Sequence, residues 1–173
     1  SEMCIRDRPC RGMRHCAADH RGADVCGVRQ AVCRRADGRE RASKVSEPLK
    51  LHYDVSGGDF TSAGKASVQA KKALRQLGFD PDVIRRVAIA MYEGEINMVI
   101  HANGGSADLV VNPDSVDIIL ADTGPGIPNV ELAMKEGYST APDNIRSLGF
   151  GAGMGLPNMK RYSDEMHIDT EVG

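Results

Sequence analysis

Hydrophobic and polar positions alternate along Leu49-Lys-Leu-His-Tyr-Asp-Val55, the pattern of a half-buried strand, and Gly57-Gly58 ends it. Asp59 or Thr61 reads as the cap of a helix running to about Leu77, with Val68, Ala73, Leu74 and Leu77 on its apolar side and Gly78 as its stop. A second helix opens at Asp80-Pro81, an N-cap followed by proline at the first helical position. Its apolar set is Val83, Ile84, Val87, Ala88, Met91, Ile96, Val99 and Ile100; it runs to about Ala102, before Asn103-Gly104-Gly105. Two strand-like runs follow, Ala107–Val111 and Val116–Ala121, joined by the turn-forming Asn112-Pro113-Asp114-Ser115. Residues 123–155 are rich in glycine and proline and read as a long functional loop or lid. A short helix near Leu156–Ser163 and a strand near Glu165–Glu171 complete the pattern.

The first 46 residues have a different texture. They hold all five cysteines, lack Phe, Tyr, Trp and Leu, and balance to +5, whereas residues 47–173 balance to -7. With no sustained period and little apolar mass, this segment cannot build a core, and it is expected to be unstructured. Its cysteines are not spaced as Cys-x-x-Cys pairs, which argues against zinc, and an odd count without a secretory leader argues against a disulfide framework. Ser1–Arg8 resembles an adapter-derived octapeptide, and the Arg-, Ala-, Cys- and Gly-rich run after it resembles out-of-frame translation of GC-rich DNA. Residues 1–46 are therefore expected to be non-native and to contribute nothing to the fold.

The whole chain has 173 residues, 41% of them hydrophobic and 27% charged, with a net charge of -2. That suits one compact core. No apolar run approaches a membrane span and no basic excess marks a nucleic-acid binder, so a cytoplasmic protein with no membrane or nucleic-acid partner is expected.

Three groups of residues could carry chemistry. Glu93 and Asn97 are four apart on the second helix and so share one face. A carboxylate there can take a proton from an attacking hydroxyl or water, and an amide oxygen can hold a hard cation without adding charge repulsion. A solvated helix face carries the same spacing, and Glu95 is turned away from it as a structural residue. Asp122, in Asp122-Thr-Gly-Pro-Gly-Ile127, places an acceptor at a strand end beside glycines that permit close backbone approach; an Asp-capped turn has the same sequence. Gly149-Phe-Gly-Ala-Gly-Met-Gly155 offers unobstructed backbone N–H groups before a helix, suited to an oligophosphate or to a hinge.

In this order and separation the three groups resemble the N, G1 and G2 boxes of the GHKL ATPases, the superfamily of gyrase, heat-shock chaperone, histidine kinase and MutL ATP-binding domains. Glu93-Gly-Glu-Ile-Asn97, Asp122-Thr-Gly-Pro-Gly126 and Gly149–Gly155 carry the likeness, which covers roughly residues 48–173. Asp122–Pro128 and Gly155-Leu-Pro-Asn-Met-Lys-Arg161 are most similar to the anti-sigma-factor serine/threonine kinases and their switch-kinase relatives. The resemblance implies an α+β fold, a two-layer α/β sandwich with a mixed sheet and helices on one face. It implies ATP and Mg2+ as cofactors, Glu93 as general base and Asn97 as the magnesium-holding residue. Asp122 would accept the adenine amino group, Gly124 and Gly126 would let the turn approach the base, and Gly149, Gly151, Gly153 and Gly155 would wrap the phosphates. Lys160 and Arg161 are read as a helix face and His101 as structural.

The activity implied is transfer of the ATP γ-phosphate to a serine or threonine of a protein partner, an anti-sigma antagonist or sigma-like regulator, with ATP and ADP as ligands and pairing into homodimers as in many relatives. Two other readings stand beside it: a non-catalytic, nucleotide-dependent binding module, and the ATP-binding fragment of a histidine kinase. The family closes its sheet with a strand after a Gly-Thr turn, and this chain, stopping at Gly173, is expected to lack it.

Overall fold

The computed structural model describes residues 26–33, 47–113 and 115–173. Five strands form one sheet: β1 (Cys26–Cys33), β2 (Leu49–Ser56), β3 (Gly104–Val111), β4 (Ser115–Asp122) and β5 (Glu165–Asp169), in the order β2-β3-β4-β1-β5. Two long helices, α1 (Lys65–Gln76) and α2 (Pro81–His101), separate β2 from β3. The segment after β4 carries α3 (Val130–Ala133) and α4 (Asp143–Ser147), and α5 (Gly155–Tyr162) leads into β5. The layers are the expected α+β sandwich.

Register explains the core. Ala107 pairs with Leu120, Leu109 with Ile118 and Val111 with Val116, so one face of the β3–β4 hairpin is a continuous apolar surface, and all six residues are buried. Leu74 of α1, Val87 and Met91 of α2 and Met159 of α5 close over it. Gly94 lets α2 lie close to the sheet, since a Cβ at that position would stand 2.2 Å from a Leu120 methyl. The predicted turn joins the hairpin, with Asn112 donating from its backbone N–H to the Ser115 carbonyl (2.8 Å) and from its side chain to Asp117 (2.9 Å).

Three expectations are corrected. The sheet is antiparallel at every described pairing rather than mixed. Between β2 and β3 the chain passes through the two expected helices, and β3 returns antiparallel to β2. The first helix begins at Lys65, not near Asp59 or Thr61. Asp59 instead organises the preceding turn, accepting from the backbone N–H groups of Thr61 (3.0 Å) and Ser62 (3.2 Å) and from both hydroxyls. Those bonds, the Ser62 hydroxyl foremost, hold the Asp59 carboxyl down to about 2. Finally, Cys26–Cys33 is a strand and not unstructured chain: it is hydrogen-bonded to β4 on one side and β5 on the other. A strand flanked on both edges has its backbone groups satisfied by its neighbours, a tertiary effect that overrides a weak local pattern. The expectations for residues 1–25 and 34–46 lie outside the described residues.

Among the described residues no helix is long and apolar enough to cross a membrane.

Candidate functional site

Helix α2 is the spine of the site. Asp80 caps it by accepting from the Asp82 N–H, Pro81 occupies its first turn, and its middle presents Glu93 and Asn97, both half-buried, toward α5. The Asn158 side-chain amide donates to Glu93 Oε1 at 2.7 Å. Asn97 Nδ2 lies 3.8 Å from the Met159 sulfur. Gly155 abuts the same amide: a Cβ there would stand 2.8 Å from Asn97 Oδ1, so only glycine leaves that oxygen uncrowded. The opposite face of α2 holds Glu95, 2% exposed, which accepts from the backbone N–H groups of Gly64 (3.2 Å), Ala66 (3.0 Å) and Ser67 (2.8 Å). Glu95 is thus turned away from Glu93 and Asn97, and it supplies the cap that α1 lacks in its own sequence.

Asp122 ends β4 with its Oδ1 accepting from the Gly124 N–H at 2.8 Å. Gly124 brings this turn against the end of α2, where a Cβ would meet the Ala102 methyl at 2.7 Å. Gly126 has φ +76°, and a Cβ on it would lie 2.0 Å from the Glu171 carbonyl oxygen. Its tightness therefore comes from the chain after β5, to which the turn is also tied by the Ile127 N–H donating to the Thr170 hydroxyl at 2.7 Å.

The expected lid, residues 123–155, contains the short helices α3 and α4 rather than being uniformly irregular. Its glycines differ in what they do. Gly153, at φ +73°, accepts through its carbonyl from the Gly137 N–H (3.0 Å), and a Cβ there would stand 2.5 Å from the Gly137 carbonyl carbon. Gly151 packs on Ala141, with its Cβ position 2.4 Å from that methyl, whereas a Cβ at Gly149 would meet nothing within 4 Å. Phe150 stacks at 5.4 Å and 35° on Phe60, joining the lid to the turn before α1. Arg161 of α5 pairs with Glu136 of the lid at 3.0 Å.

Asn97 is therefore brought against Gly155 and Glu93 against Asn158 of the same helix α5, and Gly124, two residues after Asp122, meets the end of α2 at Ala102. Two concavities, of about 220 and 370 Å³, lie elsewhere, around the start of α1; none of Glu93, Asn97, Asp122 or the lid glycines lines them. The sequence reading missed the capping role of Glu95 and the contact of Asn158 with Glu93. A signal for the second was present in Gly155-Leu-Pro-Asn158, where Asn158 falls three residues after a glycine of the box and so on the same face of α5.

This donor set fits a magnesium nucleotide. Asn97 presents a neutral oxygen kept open by Gly155, Asp122 a carboxylate acceptor at a glycine turn, and the lid a run of glycines ending in a helix. The fold is that of a histidine kinase-like ATPase domain. The sequence pattern of the histidine kinase-like ATPase domain matches residues 59–173, and the chain belongs to that family. It is similar to an anti-sigma F factor of Clostridium beijerinckii, at 34% identity over 114 residues, covering 62% of this chain and 76% of the relative. It is also similar to the serine/threonine-protein kinase RsbT of Bacillus subtilis, at 30% identity over 107 residues, 60% of this chain and 74% of the relative. An anti-sigma F factor of Clostridium kluyveri is 28% identical over 128 residues, 71% of this chain and 84% of that one.

Proposed function

We propose that the chain is an ATP-dependent protein serine/threonine kinase that modifies a regulatory protein of the anti-sigma circuit. The observation that carries this reading is the pairing of Glu93 and Asn97 on one face of α2 against the glycine-rich start of α5, in a chain whose relatives include a serine/threonine kinase and anti-sigma factors. Mg-ATP, when bound, supplies the γ-phosphoryl group and the charge neutralisation of its cation. Asn97 holds the cation through its amide oxygen, and Asp122 accepts from the adenine amino group. Gly124 and Gly126 give the turn its close approach, while Gly149, Gly151, Gly153 and Gly155 present backbone N–H groups to the phosphates. Glu93 takes the proton of the partner's serine or threonine hydroxyl as its oxygen bonds to the γ-phosphorus; the bond to the β-phosphate oxygen breaks and ADP leaves with that electron pair. Positioning and electrostatics supply the acceleration, without a covalent enzyme intermediate.

The test is incubation of the chain with [γ-32P]ATP, Mg2+ and the small regulatory proteins encoded beside its gene. The expected result is label on a serine or threonine of one of them, abolished by Glu93→Ala. Nucleotide binding with no labelled protein and no effect of Glu93→Ala contradicts the reading.

A further inference from the structure

We infer that Asn158 is a positioning residue for Glu93, an inference that rests on the proposed role of Glu93 as the base. A carboxylate oxygen can only accept, so the 2.7 Å contact fixes the Asn158 amide nitrogen as donor and its carbonyl oxygen as facing away. One Glu93 oxygen is thereby engaged and the other left to receive a proton, in a half-buried setting where a charge-assisted bond counts for more than in water. The donor is itself held at both ends of its helix. At the start, Gly155 sits against Asn97 and buried Met159 against the same side chain. At the end of α5, Arg86 of α2 donates to the Tyr162 carbonyl (3.2 Å) and, just past it, to Asp164 (2.7 Å), and Arg85 lies over the Tyr162 ring at 5.7 Å. Because α2 and α5 are pinned together on either side of it, Asn158 presents its amide to Glu93 in one geometry. Since α5 begins where the glycine box ends, the same bond ties the orientation of Glu93 to the placement of the lid.

The experiment compares the full-length chain with Asn158→Ala, Glu93→Gln and the double variant. Mg-ADP affinity is measured by calorimetry, and release of phosphate from [γ-32P]ATP at saturating Mg-ATP gives the rate. Asn158→Ala is expected to lower the rate constant about tenfold, the equivalent of one hydrogen bond to a charged group. It should leave Mg-ADP affinity within about twofold, and cost nothing further in the Glu93→Gln background. Asn158→Asp, nearly isosteric but repelling Glu93, should lose at least as much as the alanine variant. An equal loss in both backgrounds, or a parallel loss of nucleotide affinity, overturns the inference by making Asn158 a packing residue. A wild-type rate in Glu93→Gln instead overturns the role of Glu93, and the inference with it. If phosphate release is too slow to read, the side-chain amide resonances of Asn158 decide: they should move in Glu93→Gln, and unmoved resonances overturn the contact.

Discussion

Glu95 and Glu93 are two residues apart on one helix, and their surroundings give them opposite uses. Glu93 is half-buried and faces α5, whereas Glu95 is enclosed and committed to three backbone N–H groups at the start of α1. Glu95→Ala orphans those donors in a buried setting and should destabilise the chain by about 3 kcal/mol, with Glu95→Gln losing less because the amide oxygen still accepts. Urea unfolding reads both, and an alanine variant within 0.5 kcal/mol, as is common for surface substitutions, would contradict the account. On the open face of the sheet, the His52 ring lies 2.5 Å from the Asp108 carboxylate and 3.4 Å from that of Asp54, and the hydrogen bond it donates to Asp108 raises its pKa above the ordinary 6.5. The pair adds stability in full below pH 6.5 and loses it as pH rises through the folded-state value; the sites are exposed, so salt screens the effect. NMR titration of the His52 ring should give a midpoint above 6.5 that falls toward it in Asp108→Asn. Helical spacing sufficed to separate Glu93 and Asn97 from Glu95, because it is a property of α2 alone. The partners of Glu95 lie about thirty residues earlier, and no local pattern announces them.

At the scale of elements, α2 and the β3–β4 hairpin were readable because cap, proline, apolar period and turn residues agree with the tertiary contacts they make. Helix α1 was misplaced at its start because its polar lead-in is a turn built on Asp59, and the capping carboxylate comes from another helix. The short helices of the lid leave no signal in the sequence because four- and five-residue helices have no period to read. Lid glycines should respond unequally to substitution. Gly153→Ala meets backbone at 2.5 Å with φ +73°, and should weaken Mg-ADP binding about tenfold through a disordered lid. At Gly149 an added methyl has open space, so only its φ of +89° opposes alanine, and the loss there should be smaller. Calorimetry on the two variants checks the order, and a reversed order would count against the packing described.

For the molecule as a whole, the sheet depends on a segment that its own composition does not recommend. β1 lies between β4 and β5 and is the only described link between those two strands in the sheet. Removing residues 1–46 uncovers the facing edges of β4 and β5, and should lower the melting temperature and promote self-association at rising concentration. An unchanged melt and a monodisperse elution profile would show that β1 adds nothing. Strand pairing of this kind was not legible beforehand because it is decided by an available sheet position and not by the period of Cys26–Cys33. The candidate site was more legible than the sheet: its three boxes are each local in sequence, and the structure sets Gly155 against Asn97 and Gly124 against Ala102 at the end of the same helix. Its central claim is that Asp122 and the glycine boxes form a nucleotide site. Calorimetric titration of the full chain with Mg-ADP, beside Asp122→Asn, tests it most directly. Saturable binding that Asp122→Asn loses is the predicted result; undiminished binding in Asp122→Asn, or none in the folded wild-type chain, would contradict it.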